Sequence, residues 1–316
     1  MRETQAFGEP LIPPEATHGE THALLVQYKG QMLFEAYGPG YATPCGSSST
    51  HISWSMAKSI THALVGIAQM DGLLNVADSQ LFPGWQSDNR RNITLQQLLE
   101  MRSGLSWVED YVDGDASDVI EMLFGSGKDD IARYAIAQPL ATAPGAEWVY
   151  SSGTTNIVTR LLGNALGDAN GSHVNIERFM RSRLLDAIDM YAEPKFDAAG
   201  TFVGSSYVYA TARDFAKFGL LYLRDGMCNG VRILPEGWVD HARTQHVFDE
   251  ETGLGYGAHW WTLPGERNSL VAAGYEGQYI MVIPDRDLVV VRLGKTVAEL
   301  RNVVVAELRE VIEQFP

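Results

Sequence analysis

The chain has 316 residues, enough for one large domain or one domain with an inserted lobe, built around a sizeable core. Hydrophobic residues make up 45% and charged residues 20%, an ordinary globular balance. The formal net charge of −15 repels phosphate backbones and anionic lipid, which argues against nucleic acid and membrane as partners.

In chain order, residues 1 to 20 are rich in Pro, Glu and Gly and read as an arm without regular structure. The opening stretch has no apolar core of a signal peptide, and no run approaches the ~20 apolar residues of a spanning helix. The expected compartment is the cytoplasm. "THALLVQYKGQMLFEAYG" predicts a hairpin turning at Lys29-Gly30. A loop follows, containing Cys45. With Cys228 it makes only two cysteines, too few for a disulfide framework.

"HISWSMAKSITHALVG" then opens an amphipathic helix. Met56, Ile60, Ala63, Leu64 and Ile67 keep helical spacing, and Asp71-Gly72 ends it. From about residue 75 to 199 the reading is mostly helical, with segments beginning at Thr94, Ser117, Asp129, Gly153 and Ile176. "TARDFAKFGLLYLRDG" is a further amphipathic helix. Three strand candidates follow, in "YGAHWWTL", "LVAAGYEGQYIMVIP" and "LVVVRLG", and a last helix ends the chain. Hairpin connections imply an antiparallel sheet. Its halves, about 20–74 and 200–316, are far apart in sequence and must meet around an inserted helical lobe, an α+β arrangement.

Ser55 and Lys58 lie one helical turn apart. A serine hydroxyl needs a nearby base to act as a nucleophile, and an amine at i+3 can reach it. The first helical turn adds the positive end of the helix dipole. The bland alternative is a helix cap and a solvated charge. Two features weigh against it: among six lysines only Lys58 has a serine three positions earlier, and its flanks read as a buried helix. A lysine there is unfavourable unless paired or functional. Tyr150, before Ser151-Ser152-Gly153, offers a phenol at a loop-to-helix junction, or else a packing tyrosine. "AAGYEGQYIMVIP" is a Gly-punctuated strand whose Gly274 and Gly277 let a ligand approach the backbone, or else mark a bulge.

In this order and spacing the three segments resemble the serine β-lactamase-like superfamily, over nearly the whole chain from about His22. That superfamily includes penicillin-recognising enzymes, class C β-lactamases, family VIII carboxylesterases and 6-aminohexanoate-dimer hydrolases. Ser55-Met56-Ala57-Lys58 matches the first motif in full. Tyr150-Ser151-Ser152 stands where class C enzymes have Tyr-x-Asn, and Tyr275-Glu276-Gly277 where they have Lys-Thr-Gly. The Tyr-Ser-Ser-Gly and Gly-Tyr-x-Gly-Gln forms are most similar to the 6-aminohexanoate-dimer hydrolase and esterase branch.

The resemblance implies that Ser55 is acylated, that Lys58 is its base, and that Tyr150 relays the proton and later activates water. It implies that Ser152 hydrogen-bonds near them as the usual Asn does, and that the N–H groups of Ser55 and Gln278 form the oxyanion hole. It also implies a loop tyrosine over the substrate, for which Tyr111 is the candidate. A surface tyrosine is the equal alternative. Trp107 is a candidate pocket wall or a core residue, and Tyr275 and Gly277 would line the substrate site. The neutral Tyr275 weakens recognition of a substrate carboxylate, and "GKT" at Gly294 to Thr296 lies past the last strand. The expectation is therefore a serine hydrolase of small carboxylic esters or linear amides. A weak β-lactamase or D,D-peptidase comes second, and a non-catalytic binding module of the same fold comes third.

No metal or cofactor is expected. The acids Asp110, Asp113, Asp115 and Asp118 miss the EF-hand spacing, and the eight histidines form no recognisable cluster. No Gly-x-Ser-x-Gly elbow or phosphate loop occurs. The sequence leaves the oligomeric state open, and a homodimer is compatible with it.

Overall fold

The computed structural model describes residues 19–38, 46–111 and 117–316. The expected arm up to His18, together with Cys45, Asp113 and Asp115, lies outside the described residues. In chain order the elements begin with β1 (Glu20–Tyr28), β2 (Gln31–Tyr37), β3 (His51–Ile52), α1 (Met56–Met70), α2 (Leu95–Leu99), α3 (Asp118–Leu123), α4 (Ile131–Ile136), α5 (Ser152–Ala165) and α6 (Val174–Met180). They continue with β4 (Ala192–Pro194), β5 (Val208–Ala210), α7 (Ala212–Leu223), β6 (Met227–Cys228), β7 (Val231–Arg232), α8 (Trp238–Arg243) and β8 (Val247–Asp249). The last are β9 (Leu254–Tyr256), β10 (Trp261–Thr262), β11 (Leu270–Gly274), β12 (Gln278–Ile283), β13 (Leu288–Lys295) and α9 (Arg301–Glu313). The chain divides into two compact units, one of Met1–Met56, Leu185–Glu193 and Tyr209–Pro316, the other of Ala57–Leu184 and Pro194–Val208.

The first unit is built on an eight-stranded sheet of order β2-β1-β13-β12-β11-β10-β9-β8, every neighbouring pair antiparallel. Its opening hairpin turns at Lys29 (φ 50°) and Gly30 (φ 76°), the left-handed pair whose twist matches that of the strands. The N-terminal strand β1 pairs along β13, from Glu20↔Lys295 to Tyr28↔Leu288. All of β12 is buried, as is β13 up to Gly294, so these strands are covered on both faces. That explains their unbroken apolar runs. The helix α7 packs on β1, β12 and β13, and α9 packs on β13. Gly219 of α7 makes the first contact close: a Cβ there would sit 2.7 Å from Val289 Cγ1.

The second strand candidate of the sequence is two strands. The turn Tyr275–Gly277 separates β11 from β12, with Glu276 at φ 61° and Gly277 at φ 81°. What periodicity presents as one Gly-punctuated strand is a hairpin.

The second unit is helical. From Met56 to Ala68 every residue of α1 is buried. The helix stops in a Schellman arrangement, with Gly72 N–H donating to Gln69 O and Leu73 N–H to Ala68 O. Ser151 caps α5 by accepting from Thr154 N–H, and α2, α3 and α4 pack against α5. Thr94 and Gln97 form a capping box on α2. That helix ends after Leu99, and Met101 (φ 59°) and Gly104 (φ 75°) turn the chain beyond it.

Candidate active site

The two units carry different parts of the expected site. In the first unit, Trp54 adopts φ 44°, an uncommon left-handed conformation for an aromatic residue. The turn delivers Ser55 to the position just before α1, where the helix N-terminus begins. Ser55 is part-buried. The end of β11 approaches this turn closely: a Cβ on Gly274 would lie 2.5 Å from Ser53 O. The next residue, Tyr275, meets the Trp54 ring edge-on at 5.6 Å between centroids. The structure thus brings the third motif to the Ser53–Ser55 turn through Gly274 and Tyr275.

Gln278 is placed differently. It lies across the hairpin on β12, paired with Gly274, and its side-chain amide is committed to Gly294 of β13 and to Tyr275 O. The turn itself is held from behind by Arg292, which is fully buried. Its guanidinium donates to the carbonyls of Glu276, Gly277 and Glu20 and to the hydroxyls of Thr21 and Thr296. Gly277 has room for no side chain, since a Cβ would fall 2.6 Å from Arg292 Nη1.

In the second unit, Lys58 is 2% exposed. Its Nζ donates to Ser152 Oγ at 2.9 Å and to Ser205 O at 3.1 Å. It also lies over the Tyr150 ring, 4.8 Å from the centroid. Burial in this apolar helix lowers the amine to about 8, against a smaller opposing pull from Glu109. The burial that stabilises α1 thus also leaves its lysine a usable base near neutral pH. The structure brings together Lys58, Tyr150 and Ser152 as the motif spacing suggests. The carbonyl that Lys58 uses belongs to a buried segment fixed by Asn156, whose side chain bonds both Ser205 N–H and Ser205 Oγ.

The residue that sequence reasoning missed is Glu109. Its carboxylate accepts from Ser152 N–H (2.8 Å), Ser152 Oγ–H, Trp107 Nε1–H (2.6 Å) and Tyr111 O–H (3.0 Å). Trp107, Glu109 and Tyr111 occupy alternate positions, the spacing that puts side chains of an extended chain on one face, and that alternation was the available signal. Trp107 packs against Gly153, where a Cβ would fall 2.4 Å from its ring, and stands edge-on to Tyr134. Burial, and then the charge of Glu109, raise the Tyr111 phenol well above its ordinary value. Among the described residues no group of three or more His, Cys, Asp or Glu could hold a metal ion, and no helix is long and apolar enough to cross a membrane.

Comparison with known proteins shows the family and the fold. The family model described as Beta-lactamase matches residues 15–310. A 6-aminohexanoate-dimer hydrolase of Paenarthrobacter ureafaciens is 26% identical over 302 residues, spanning 87% of this chain and 72% of that protein. Among solved structures, a penicillin binding protein from Bacillus halodurans superposes with a TM-score of 0.69 at 16% identity, covering 90% of this chain and 96% of its own. The D-alanine carboxypeptidase AmpC of Burkholderia cenocepacia gives 0.65 at 17% identity, covering 93% of each chain. At these identities the structural likenesses establish the fold.

Proposed function

We propose, from the premise that the chain belongs to the Beta-lactamase family of serine hydrolases, that it hydrolyses small carboxylic esters or linear amides through an acyl-enzyme on Ser55. The observation that carries this reading is the buried Lys58 amine, lowered to about 8 and one helical turn beyond Ser55. A neutral amine has two N–H groups and one lone pair. Ser152 Oγ and Ser205 O take the two N–H groups. The third tetrahedral position is where the Ser55 proton arrives as Oγ bonds to the substrate carbonyl carbon.

The resulting oxyanion is held by backbone N–H groups. Ser55 N–H, at the start of α1, is one. For the second, the close approach of Gly274 to Ser53 O supports Tyr275 N–H over the expected Gln278. The proton on Lys58 passes by way of the Tyr150 phenol to the leaving oxygen or nitrogen as its bond to carbon breaks. A water, deprotonated by the same pair, then releases the acid and restores Ser55. Tyr275 in place of a lysine favours neutral substrates. The kinship with a 6-aminohexanoate-dimer hydrolase supports linear amides as one substrate class.

The test is turnover of p-nitrophenyl acetate and butyrate, nitrocefin and the 6-aminohexanoate linear dimer by wild type and Ser55→Ala. Ester or dimer turnover abolished in the variant, with nitrocefin slow in both, is the expected result. Undiminished turnover by Ser55→Ala would reject the nucleophile. Binding without turnover in the wild type would favour a non-catalytic module.

A further inference from the structure

We propose that Glu109 is a positioning residue for the Ser55–Lys58 pair, acting on the amine through the hydroxyl of Ser152. This rests on the serine hydrolase reading above.

The direction of each hydrogen bond is fixed by chemistry. An ammonium only donates and an ionised carboxylate only accepts. Ser152 Oγ must therefore accept from Lys58 Nζ and pass its own hydrogen to Glu109 Oε1, which is the arrangement observed. Ser152 N–H on Oε2 locks the carboxylate to the first turn of α5, and Trp107 and Tyr111 fix it from its own segment. Such a chain serves a base in two ways. It holds the amine against rotation, and it compensates the positive charge that appears on Lys58 when Ser55 loses its proton. No proton has to reach Glu109 for this. The one proton leaves Ser55 Oγ and resides on Lys58 Nζ, while the Ser152 hydrogen stays on its oxygen.

The chain also gives the serine at position 152 a chemical reason. One hydroxyl oxygen can accept from the amine and donate to the carboxylate at the same point. An amide would need two atoms to do so.

The polar groups facing this chain include Ser205 O on Nζ, the Tyr150 ring beneath it, the Tyr111 phenol and Trp107 Nε1–H on Glu109, and, beyond Trp107, Tyr134 bonded to Asp118. Glu109 and Asp118 are the carboxylates among them, and Glu109 is bonded to the Ser152 oxygen that accepts from Lys58.

The experiment is the pH dependence of kcat/KM for p-nitrophenyl acetate with wild type, Glu109→Gln, Ser152→Ala and the double variant, each checked by circular dichroism and thermal melting. Removing the charge should move the acid limb about one pH unit lower, as expected for losing an opposite charge near an amine. The plateau rate should fall about 10- to 100-fold, a part of what a general base contributes. The double variant should be no slower than the slower single one, since the two residues act as one chain. Glu109→Asp should recover the limb in part. An acid limb that stays in place in both single variants, or losses that multiply in the double, would overturn the proposal and leave Glu109 a loop anchor. If Glu109→Gln does not fold, Ser152→Ala alone decides by the same limb. Activity surviving in Ser55→Ala would instead reject the underlying reading, which keeps the two failures distinct.

Discussion

Replacing Lys58 by methionine should abolish hydrolysis and make the protein more stable at neutral pH. Methionine keeps the unbranched apolar stem, one atom shorter, and removes the charge. Burial lowers the amine from 10.5 to about 8 in the folded state, a difference that corresponds to roughly 3 kcal/mol at ~1.4 kcal/mol per pH unit. Below pH 8 both folded and unfolded chains carry the charge, so the folded state bears that burden in full. Between about 8 and 10.5 the folded chain sheds the proton first, the unfolded chain binds more protons, and wild-type stability rises. Above that window the burden is gone. Against the gain, Ser152 Oγ and Ser205 O each lose a donor, at about 1 kcal/mol apiece. The net expectation at pH 7 is a stabilisation of about 1–2 kcal/mol, or roughly 2–4 °C in Tm. Thermal melts of wild type and Lys58→Met at pH 7 and pH 10 check it. The variant should melt higher at pH 7, and the gap should close or reverse at pH 10. A variant that melts lower at pH 7, with a gap independent of pH, would refute the idea that Lys58 is held charged against the cost of burial.

Ester hydrolysis should climb with pH and reach half its plateau near pH 8, because only the neutral Lys58 amine can accept the Ser55 proton; a rate flat from pH 6 to 9 would remove Lys58 as the base. Gly274→Ala should cut kcat/KM at least about tenfold while the protein stays folded, since the new methyl meets Ser53 O at 2.5 Å and must push the β11 end away from the nucleophile turn. Arg292→Lys should lower stability by about 3 kcal/mol in urea melts, because a single ammonium cannot serve two threonine hydroxyls and three carbonyls at once.

What could be read ahead of the structure was whatever local rules decide. Lys29-Gly30 announces its turn by its own backbone preference, and α1 announces itself by period and by its Gly72 stop. The Ser55–Lys58 spacing follows from the helix. The hairpin between β11 and β12 is hidden in the pattern because both strands are mostly apolar and buried, and Glu276, in the turn that breaks them, is a non-glycine at positive φ. Glu109 was lost among the loop acids because its meaning lies 43 residues away, in Ser152. Arg292 could be read only as a charge in a strand, since its partners come from both ends of the chain.

The pairing of β1 with β13 has a consequence for synthesis. Thr21 and Arg292, joined by a hydrogen bond, are 271 residues apart. At a translation speed of ~5–20 residues per second, the first hairpin waits roughly a quarter of a minute to a minute for its neighbour to be made. Throughout that time one edge of β1, with Ala23, Leu24, Leu25 and Val26 destined for the core, presents unpaired backbone to the surroundings. A ribosome that stalls before β13 releases a sticky, open-edged nascent chain. Yield in a cell should therefore depend on holdase chaperones and on temperature during expression more than on the stability of the finished enzyme.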